Sequence, residues 1–150
     1  MNVGEKASDF TLESNNGPLK LSTLKGKNVV LYFYPKDDTS GCTLEAQDFT
    51  AQSKEFEKRN TVVLGVSPDT VESHCNFIKK HSLSVKLLAD PEKKVLQQYG
   101  VWQEKSMYGR KYMGVVRTTY LIDPKGNIKH VWEKVTVPGH VEEVLKKIQQ

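Results

Sequence analysis

Apolar residues along this chain fall into short continuous runs and helical stripes. Residues 29–34 and 62–66 are runs of β-branched and aromatic side chains, with the length and composition of strands buried on both faces. Residues 42–59 carry apolar side chains at helical intervals among charged ones, which predicts a helix. Four apolar residues spaced i, i+3, i+4 and i+7 predict a last helix: Val141, Val144, Leu145 and Ile148.

Turn and cap residues separate the shorter predicted elements. Asp69 followed by Glu72 has the spacing of a capping box and predicts a helix that runs to about residue 82. Asp90 before Pro91 predicts another helix, with Asp as its cap and Pro in its first position. The other predicted elements are hairpins with strands at 10–12 and 19–21 and at 118–122 and 128–132, a strand at 85–89, and a loop at 102–113.

Buried strands that alternate with helices, followed by a late hairpin, indicate an α/β sandwich around a mixed central sheet. The order of the elements fits a thioredoxin-like fold, with helices flanking the sheet and an N-terminal hairpin. Because 150 residues can bury one self-sufficient core and no linker or internal repeat is visible, we predict a single domain over residues 1–150.

Composition narrows the classes of function. The chain has 22 Lys and Arg against 18 Asp and Glu, but the two signs are interspersed, as in residues 54–59. This pattern is typical of a solvated surface and predicts no nucleic-acid partner. No run of 18 uncharged apolar residues exists, which predicts no membrane span. Residues 1–25 carry six charged side chains and no apolar core, so we expect no secretory signal and a cytoplasmic location.

Cys42 stands where a polar turn, entered from the first buried strand, leads into a helix. A thiol at the start of a helix faces unpaired N–H groups and the positive end of the helix dipole, and both favour the nucleophilic thiolate. The spacing of Cys42 and Glu45 also matches a capping box, with sulfur in place of a hydroxyl. A structural cysteine is the alternative interpretation, but a polar turn is the wrong surrounding for a small buried hydrophobe.

Other cysteine chemistries fit less well. Ser40, Gly41 and Thr43 leave no second sulfur near Cys42, which disfavours a dithiol-exchange enzyme. Two cysteines in all are too few for a disulfide scaffold or an all-cysteine zinc site, and we predict no metal. None of the histidines falls in a recognisable catalytic setting, and we interpret them as surface or packing residues: His74, His81, His130 and His140.

The spacing Pro35-x-x-x-Thr39-x-x-Cys42 resembles the peroxidatic motif of peroxiredoxins. Further segments look like the bacterioferritin comigratory protein or PrxQ branch, in its order, at residues 32–37, 42–45, 65–69, 87–90, 99–102 and 117–123. The resemblance therefore covers nearly the whole chain.

The resemblance implies a role for each matched residue. The Cys42 thiolate would attack a peroxide oxygen and become a sulfenic acid. Thr39 would hydrogen-bond the peroxide, Pro35 would shield the pocket, and Arg117 would bring a positive charge to the sulfur. Glu45 also matches the family, but a first-turn glutamate stabilises a helix start without touching substrate, so we leave it outside the catalytic set.

The sequence departs from the family at Gln47, where many members of this branch place a resolving cysteine. Cys75 is the other cysteine, and some PrxQ-like proteins carry a resolver in the corresponding helix. Two interpretations stay open: Cys75 resolves the sulfenic acid through a disulfide with Cys42, or it lies in a core stripe with Val71 and Ile78.

The resemblance thus implies a thiol peroxidase acting on hydrogen peroxide and organic hydroperoxides. It further implies a thioredoxin or similar dithiol as the reductant, a monomer, and no metal, haem or flavin cofactor. Three alternatives stay open: a one-cysteine cycle, a thioredoxin-like oxidoreductase acting on protein disulfides, and a redox-sensing or chaperone-like binding protein.

Overall fold

The computed structural model describes residues 1–149, and a seven-stranded mixed sheet lies at its centre in the order β2-β1-β5-β4-β3-β8-β9. The strands are β1 Thr11–Ser14, β2 Gly17–Lys20, β3 Asn28–Phe33, β4 Thr61–Ser67, β5 Lys86–Ala89, β6 Trp102–Met107, β7 Arg110–Val115, β8 Thr118–Ile122 and β9 Ile128–Trp132. The helices are α1 Ser40–Ala51, α2 Ser53–Lys58, α3 Val71–His81, α4 Lys94–Gln98 and α5 His140–Gln149, with a 3₁₀ turn at Leu21–Leu24. None of these helices is long and apolar enough to cross a bilayer.

Strand β3 lies in the middle of the sheet and is buried on both faces, as its continuous apolar run predicts. Val29, Leu31 and Phe33 pack on one face, in a cluster that includes residues of α4. Val30 and Tyr32 pack on the other, together with residues of α1, α3 and α5. Because β4 is parallel to β3 and β8 is antiparallel to it, the sheet is mixed and the predicted thioredoxin-like α/β sandwich is confirmed.

The predicted helix at 42–59 is two helices, and it begins earlier than expected. Helix α1 starts at Ser40, so Cys42 lies inside its first turn, and the helix ends before Gln52. At Gln52 the backbone leaves helical geometry (φ −103°, ψ 14°) and its N–H bonds to Phe49 O at 3.2 Å. Phe49 and Phe56, one on each helix, are both buried in the same core cluster.

Two predicted helix starts are wrong, by one residue for α3 and by three residues for α4, because the acidic side chains make other bonds. Thr70, and not Asp69, caps α3, by accepting the Ser73 N–H on its hydroxyl at 3.2 Å. Pro91 lies in a turn before α4, and Asp90 accepts the N–H of Leu96 at 2.9 Å. The Asp69 carboxylate accepts instead from the Asp37 N–H and the Ser67 hydroxyl, both outside α3.

The predicted loop at 102–113 is a β-hairpin. Strands β6 and β7 pair only with each other, in antiparallel register from Trp102 opposite Val115 to Met107 opposite Arg110. Most of its side chains face solvent on both sides, so the sequence shows no alternation of apolar and polar positions that would identify strands.

Candidate active site

The chain leaves β3 at Phe33, crosses a short loop and enters α1, whose third residue is Cys42. The Cys42 side chain is buried, with 1% of the residue exposed. Thr39 is the N-cap residue, but its hydroxyl donates to Lys36 O at 2.9 Å and makes no capping bond to α1. The N–H groups of the first turn of α1 therefore receive no side-chain cap, and Cys42 lies at the positive end of the helix.

Arg117 brings a fixed positive charge to the sulfur. It directly precedes β8, which pairs antiparallel with β3, so it comes to the edge of the sheet from which α1 begins. Its Nη2 donates to Cys42 Sγ at 3.3 Å and its Nη1 donates to Glu45 Oε1 at 2.7 Å. A Cβ at Gly41 would lie 3.3 Å from Nη2, so this glycine leaves the space that the guanidinium occupies. Arg117 therefore contacts the Cys42 sulfur, as the family resemblance implies.

Glu45 is the third member of a charge cluster with Cys42 and Arg117, and the sequence prediction leaves it outside the catalytic set. The residue is 0% exposed, and Oε2 has no hydrogen-bond partner among the described residues. Burial raises the pKa of Glu45 to about 7, although the neighbouring Arg117 opposes the shift. Its spacing with Cys42 does not serve a capping box, because Oε1 accepts from Arg117. Glu45 therefore acts through the guanidinium that also holds the sulfur.

Two further pKa values are displaced around this cluster. Burial alone would lower the pKa of Arg117, but the charges of Glu45 and Cys42 outweigh it and raise the pKa above its ordinary value. Burial, and then the charge of Arg117, lower the pKa of His140 to about 4. His140 is therefore neutral near pH 7, and its Nε2 lies 2.9 Å from Thr119 Oγ1. Near pH 7 the positive charge next to the sulfur is therefore carried by the Arg117 guanidinium and not by His140.

A buried polar network anchors the loop between β3 and α1. Tyr34 donates its hydroxyl hydrogen to Asp37 Oδ1 at 2.6 Å, and Ser73 donates to Asp37 Oδ2 at 2.8 Å. His74 Nδ1 lies 2.7 Å from the same Oδ2, and its Nε2 donates to Leu88 O at 2.9 Å. His74 is fully buried, so its interpretation as a surface or packing residue misses this role. The network ties the loop that precedes Cys42 to the first turns of α3.

Asp37, Asp69 and His74 offer possible metal-ligand atoms within 4.8 Å of one another. These atoms are engaged in other bonds. Asp69 Oδ2 accepts from the Asp37 N–H at 2.8 Å and from the Ser67 hydroxyl at 2.6 Å. We therefore interpret the group as a hydrogen-bonded joint between the loop and α3.

Of the other predicted site residues, two lie next to Cys42 in the chain and the third lies on α3. Pro35 and Thr39 lie in the loop directly before Cys42, half-buried and exposed respectively. Cys75 is exposed on α3, so its interpretation as a core cysteine is wrong. The buried residues of α3 are His74 and Phe77.

Helix geometry also places Cys75 away from the loop that carries Cys42. Ser73 and Lys80 contact Asp37 and Asp38 of that loop. At 100° per residue, Cys75 lies about 160° around α3 from Ser73. It therefore occupies the opposite flank of the helix, and a bond to Cys42 within one chain requires rearrangement.

The pKa of Glu45 leads to a testable pH dependence. Between about pH 5 and 7 the folded protein keeps a proton on Glu45 that the unfolded chain has released, so raising the pH lowers the free energy of unfolding. A pKa raised from 4.5 to about 7 corresponds to about 3 kcal/mol over this interval. In Glu45→Gln, which keeps a hydrogen-bond acceptor for Arg117, we expect that loss to disappear from denaturant unfolding measured at pH 5 and pH 8.

The exposed Glu57→Gln variant is the control, since Glu57 should leave the pH slope unchanged. An equal pH slope in the wild type and in Glu45→Gln would contradict the raised pKa of the buried Glu45.

The chain is similar to known proteins over nearly its whole length. The family model described as AhpC/TSA family matches residues 3–131. A Coxiella burnetii protein assigned to the Bcp peroxiredoxins is 50% identical over 147 residues, which are 97% of each chain. Peroxiredoxin Bcp of Bacillus subtilis is 45% identical over 148 residues, 98% of this chain and 94% of the relative.

Solved structures agree with the sequence comparisons. A structure of the bacterioferritin comigratory protein of Xanthomonas campestris superimposes with a TM-score of 0.89 and is 38% identical. The match covers 93% of this chain and 90% of that one. The work on that protein concerns its reduction of alkyl peroxides and a trapped intermediate.

Proposed function

The chain belongs to the AhpC/TSA family, as a Bcp/PrxQ peroxiredoxin and hence a thiol peroxidase, and from this premise we propose that Cys42 reduces hydrogen peroxide and organic hydroperoxides. The observation that supports the proposal most strongly is the 3.3 Å hydrogen bond from Arg117 Nη2 to Cys42 Sγ in the first turn of α1. This bond puts a cation at the nucleophile, and we expect the same guanidinium to lie beside the oxygen that leaves.

The proposed reaction begins when the Cys42 thiolate attacks one peroxide oxygen. An S–O bond forms, the O–O bond breaks, and its electron pair departs with the second oxygen, which takes a proton to become water or an alcohol. Arg117 stabilises the negative charge that develops on this oxygen. To hydrogen-bond the peroxide, the Thr39 hydroxyl turns toward it the hydrogen that it otherwise donates to Lys36 O. Pro35 limits water at the sulfur. The product on the protein is the Cys42 sulfenic acid.

We assign the return of Cys42 to the thiol state to a thioredoxin-type dithiol, in a monomeric cytoplasmic protein. Both cysteines are free thiols, which suits a reducing compartment. Reduction of the sulfenic acid takes two electrons and releases water, and a dithiol supplies both electrons as it closes its own disulfide. The cycle therefore runs on sulfur chemistry alone.

Cys75 is the proposed resolving cysteine. Its thiol would attack the sulfenic sulfur of Cys42, form a disulfide and release water, and the dithiol would then reduce this disulfide. Cys75 is already exposed, whereas Cys42 is buried. The loop before Cys42 contacts the flank of α3 that carries Ser73 and Lys80, on the side away from Cys75. The step therefore requires the start of α1 to unwind and the Asp37 network to open. The position of Cys75 favours, as the second candidate, a one-cysteine cycle in which the dithiol attacks the sulfenic acid directly.

One experiment tests these steps together. The wild type and Cys75→Ser are supplied with peroxide and a reduced thioredoxin. A parallel assay without thioredoxin measures insulin-disulfide reduction driven by dithiothreitol, relative to dithiothreitol alone. We expect peroxide consumption and no insulin reduction by the wild type, a Cys42–Cys75 disulfide in mass spectra, and loss of at least about nine-tenths of thioredoxin-driven turnover in Cys75→Ser, with sulfenic acid formation unchanged.

The contradicting outcomes separate the two parts of the proposal. Full thioredoxin-driven turnover by Cys75→Ser would remove Cys75 from the cycle and leave the one-cysteine route. Insulin reduction without peroxide consumption would overturn the peroxidase assignment itself.

A further inference from the structure

The β6–β7 hairpin stands outside the central sheet and carries most of the exposed large apolar side chains in residues 1–149. Tyr108, at the tip, is 98% exposed, and three more of these side chains lie on the two strands: Met107, Tyr112 and Met113. Only Val3 and Leu44 are comparably exposed elsewhere in that part of the chain. Single exposed apolar residues are ordinary, but Met107 and Tyr112, next to Tyr108 at the tip, form a patch of the kind that contacts a partner. Met113 lies on the other face, opposite Glu104.

The hairpin is an ordered platform. Tyr108 and Gly109 both have positive φ (52° and 78°), as the central residues of a type I′ turn require. At the base, Trp102 packs against the core, with Lys93 Nζ 5.3 Å from its ring centroid, and Val116 N–H bonds to Val101 O at 2.8 Å. A partner would therefore meet a preformed surface.

The strand register places apolar and basic side chains together on one face. Met107 lies opposite Arg110, and Lys105 lies opposite Tyr112, and these four residues form what we name the basic face. No carboxylate in residues 1–149 lies within ion-pair distance of either cation of the basic face. Lys105 is half-buried and its Nζ donates to Val115 O at 3.0 Å, so Arg110 is the exposed cation of this face. On the other face, Lys111 lies 3.6 Å from Glu104, so its charge is compensated.

The hairpin is also continuous with the active site. Strand β7 ends at Val115, and Arg117, which holds the Cys42 sulfur, follows two residues later. The base of the hairpin therefore lies two residues from the guanidinium that holds the Cys42 sulfur, and we expect a protein bound along the hairpin to reach that end of the sheet. The patch itself has no part in the attack on peroxide.

We infer that the basic face of the hairpin is the docking surface for the dithiol protein that reduces the oxidised enzyme. The inference rests on the proposed function, and it specifies a partner with acidic side chains around an apolar rim. Charge selects this occupant, because Lys105 and Arg110 attract an acidic protein and repel a second copy of the same face. The apolar side chains of Met107 and Tyr112 supply the area that is buried on contact.

The test compares a protein dithiol with a small one. Peroxide turnover is measured with a reduced thioredoxin of acidic surface and with dithiothreitol, for the wild type, Arg110→Glu and Met107→Ser. We expect the KM for thioredoxin to rise at least about fivefold in Arg110→Glu, with weaker salt dependence, while turnover with dithiothreitol stays unchanged. Lys125→Glu reverses an exposed charge in the β8–β9 turn and should behave as the wild type.

Three results would overturn the docking surface. The first is an unchanged KM for thioredoxin in both hairpin variants, and the second is an equal rise of this KM in Lys125→Glu. The third is that the wild type, but not Arg110→Glu, sediments with anionic phospholipid vesicles or sediments as a dimer. A wild type that turns over with dithiothreitol but not with thioredoxin would instead contradict the reductant in the proposed function, which separates the two failures.

Discussion

Cys42→Ser should abolish peroxidase activity, with kcat/KM for hydrogen peroxide lowered by at least about a thousandfold. A serine hydroxyl is nearly the same size as the thiol, so the buried site keeps its packing, but it does not ionise near neutral pH and is a poor nucleophile toward oxygen. The measurement is peroxide consumption driven by dithiothreitol, which bypasses any resolving cysteine and any docking surface.

Cys75→Ser is the matched control for this substitution. It also replaces a sulfur by an oxygen, but at an exposed position, and it should keep dithiothreitol-driven turnover. Thermal unfolding of both variants shows whether the fold is retained. A Cys42→Ser protein that is folded and still consumes peroxide at the wild-type rate would contradict the assignment of the nucleophile.

Arg117 should give the second largest effect. Removing a charged donor from the site where negative charge develops costs about 10²–10³ in rate. Arg117→Met alone would leave Glu45 buried beside an apolar side chain, which favours misfolding over a clean kinetic loss. We therefore predict the loss for the double variant Arg117→Met/Glu45→Gln, measured as the rate of sulfenic acid formation at pH 7.

Two single variants isolate the contribution of the guanidinium. Glu45→Gln alone should retain most of the rate, since its amide oxygen still accepts from Arg117. Arg117→Lys keeps a charge but offers one nitrogen where Arg117 offers two held in a fixed plane, Nη2 for Cys42 and Nη1 for Glu45. Its rate should fall between those of the wild type and the double variant. A double variant that oxidises within a factor of about two of the wild type would remove Arg117 from the mechanism.

The parts of the fold that the sequence predicts well are those in which burial determines the pattern. Strand β3 and helix α5 follow directly from an apolar run and an apolar stripe. The β6–β7 hairpin gives no such signal, because both of its faces are largely exposed. Its only local mark is Tyr108-Gly109, whose glycine suits a two-residue turn.

The α3 helix shows why an apolar stripe can mislead. Val71, Cys75 and Ile78 share a helical stripe, yet His74 occupies the buried position beside them. A histidine can be buried there because Asp37 and the Leu88 carbonyl satisfy both ring nitrogens. Such partners come from distant parts of the chain, and local hydrophobicity does not reveal them.

The active site divides in the same way. The position of Cys42 near a helix start follows from the local sequence, whereas its pairing with Arg117 depends on the antiparallel contact of β8 with β3 across 75 residues of chain. Family resemblance supplied that residue, and local pattern did not. Glu45 stayed ambiguous because a first-turn glutamate has two common uses, and only its burial and its bond to Arg117 distinguish them.

The central claim is that peroxide oxidises the sulfur of Cys42. The most direct measurement treats the reduced wild type with one equivalent of hydrogen peroxide in the presence of a sulfenic acid trap, followed by peptide mass spectrometry. We predict that the trapped adduct lies on Cys42 and that Cys75 carries none, with one peroxide consumed per chain. An adduct on Cys75 with Cys42 still reduced, or peroxide left unconsumed, would contradict the account.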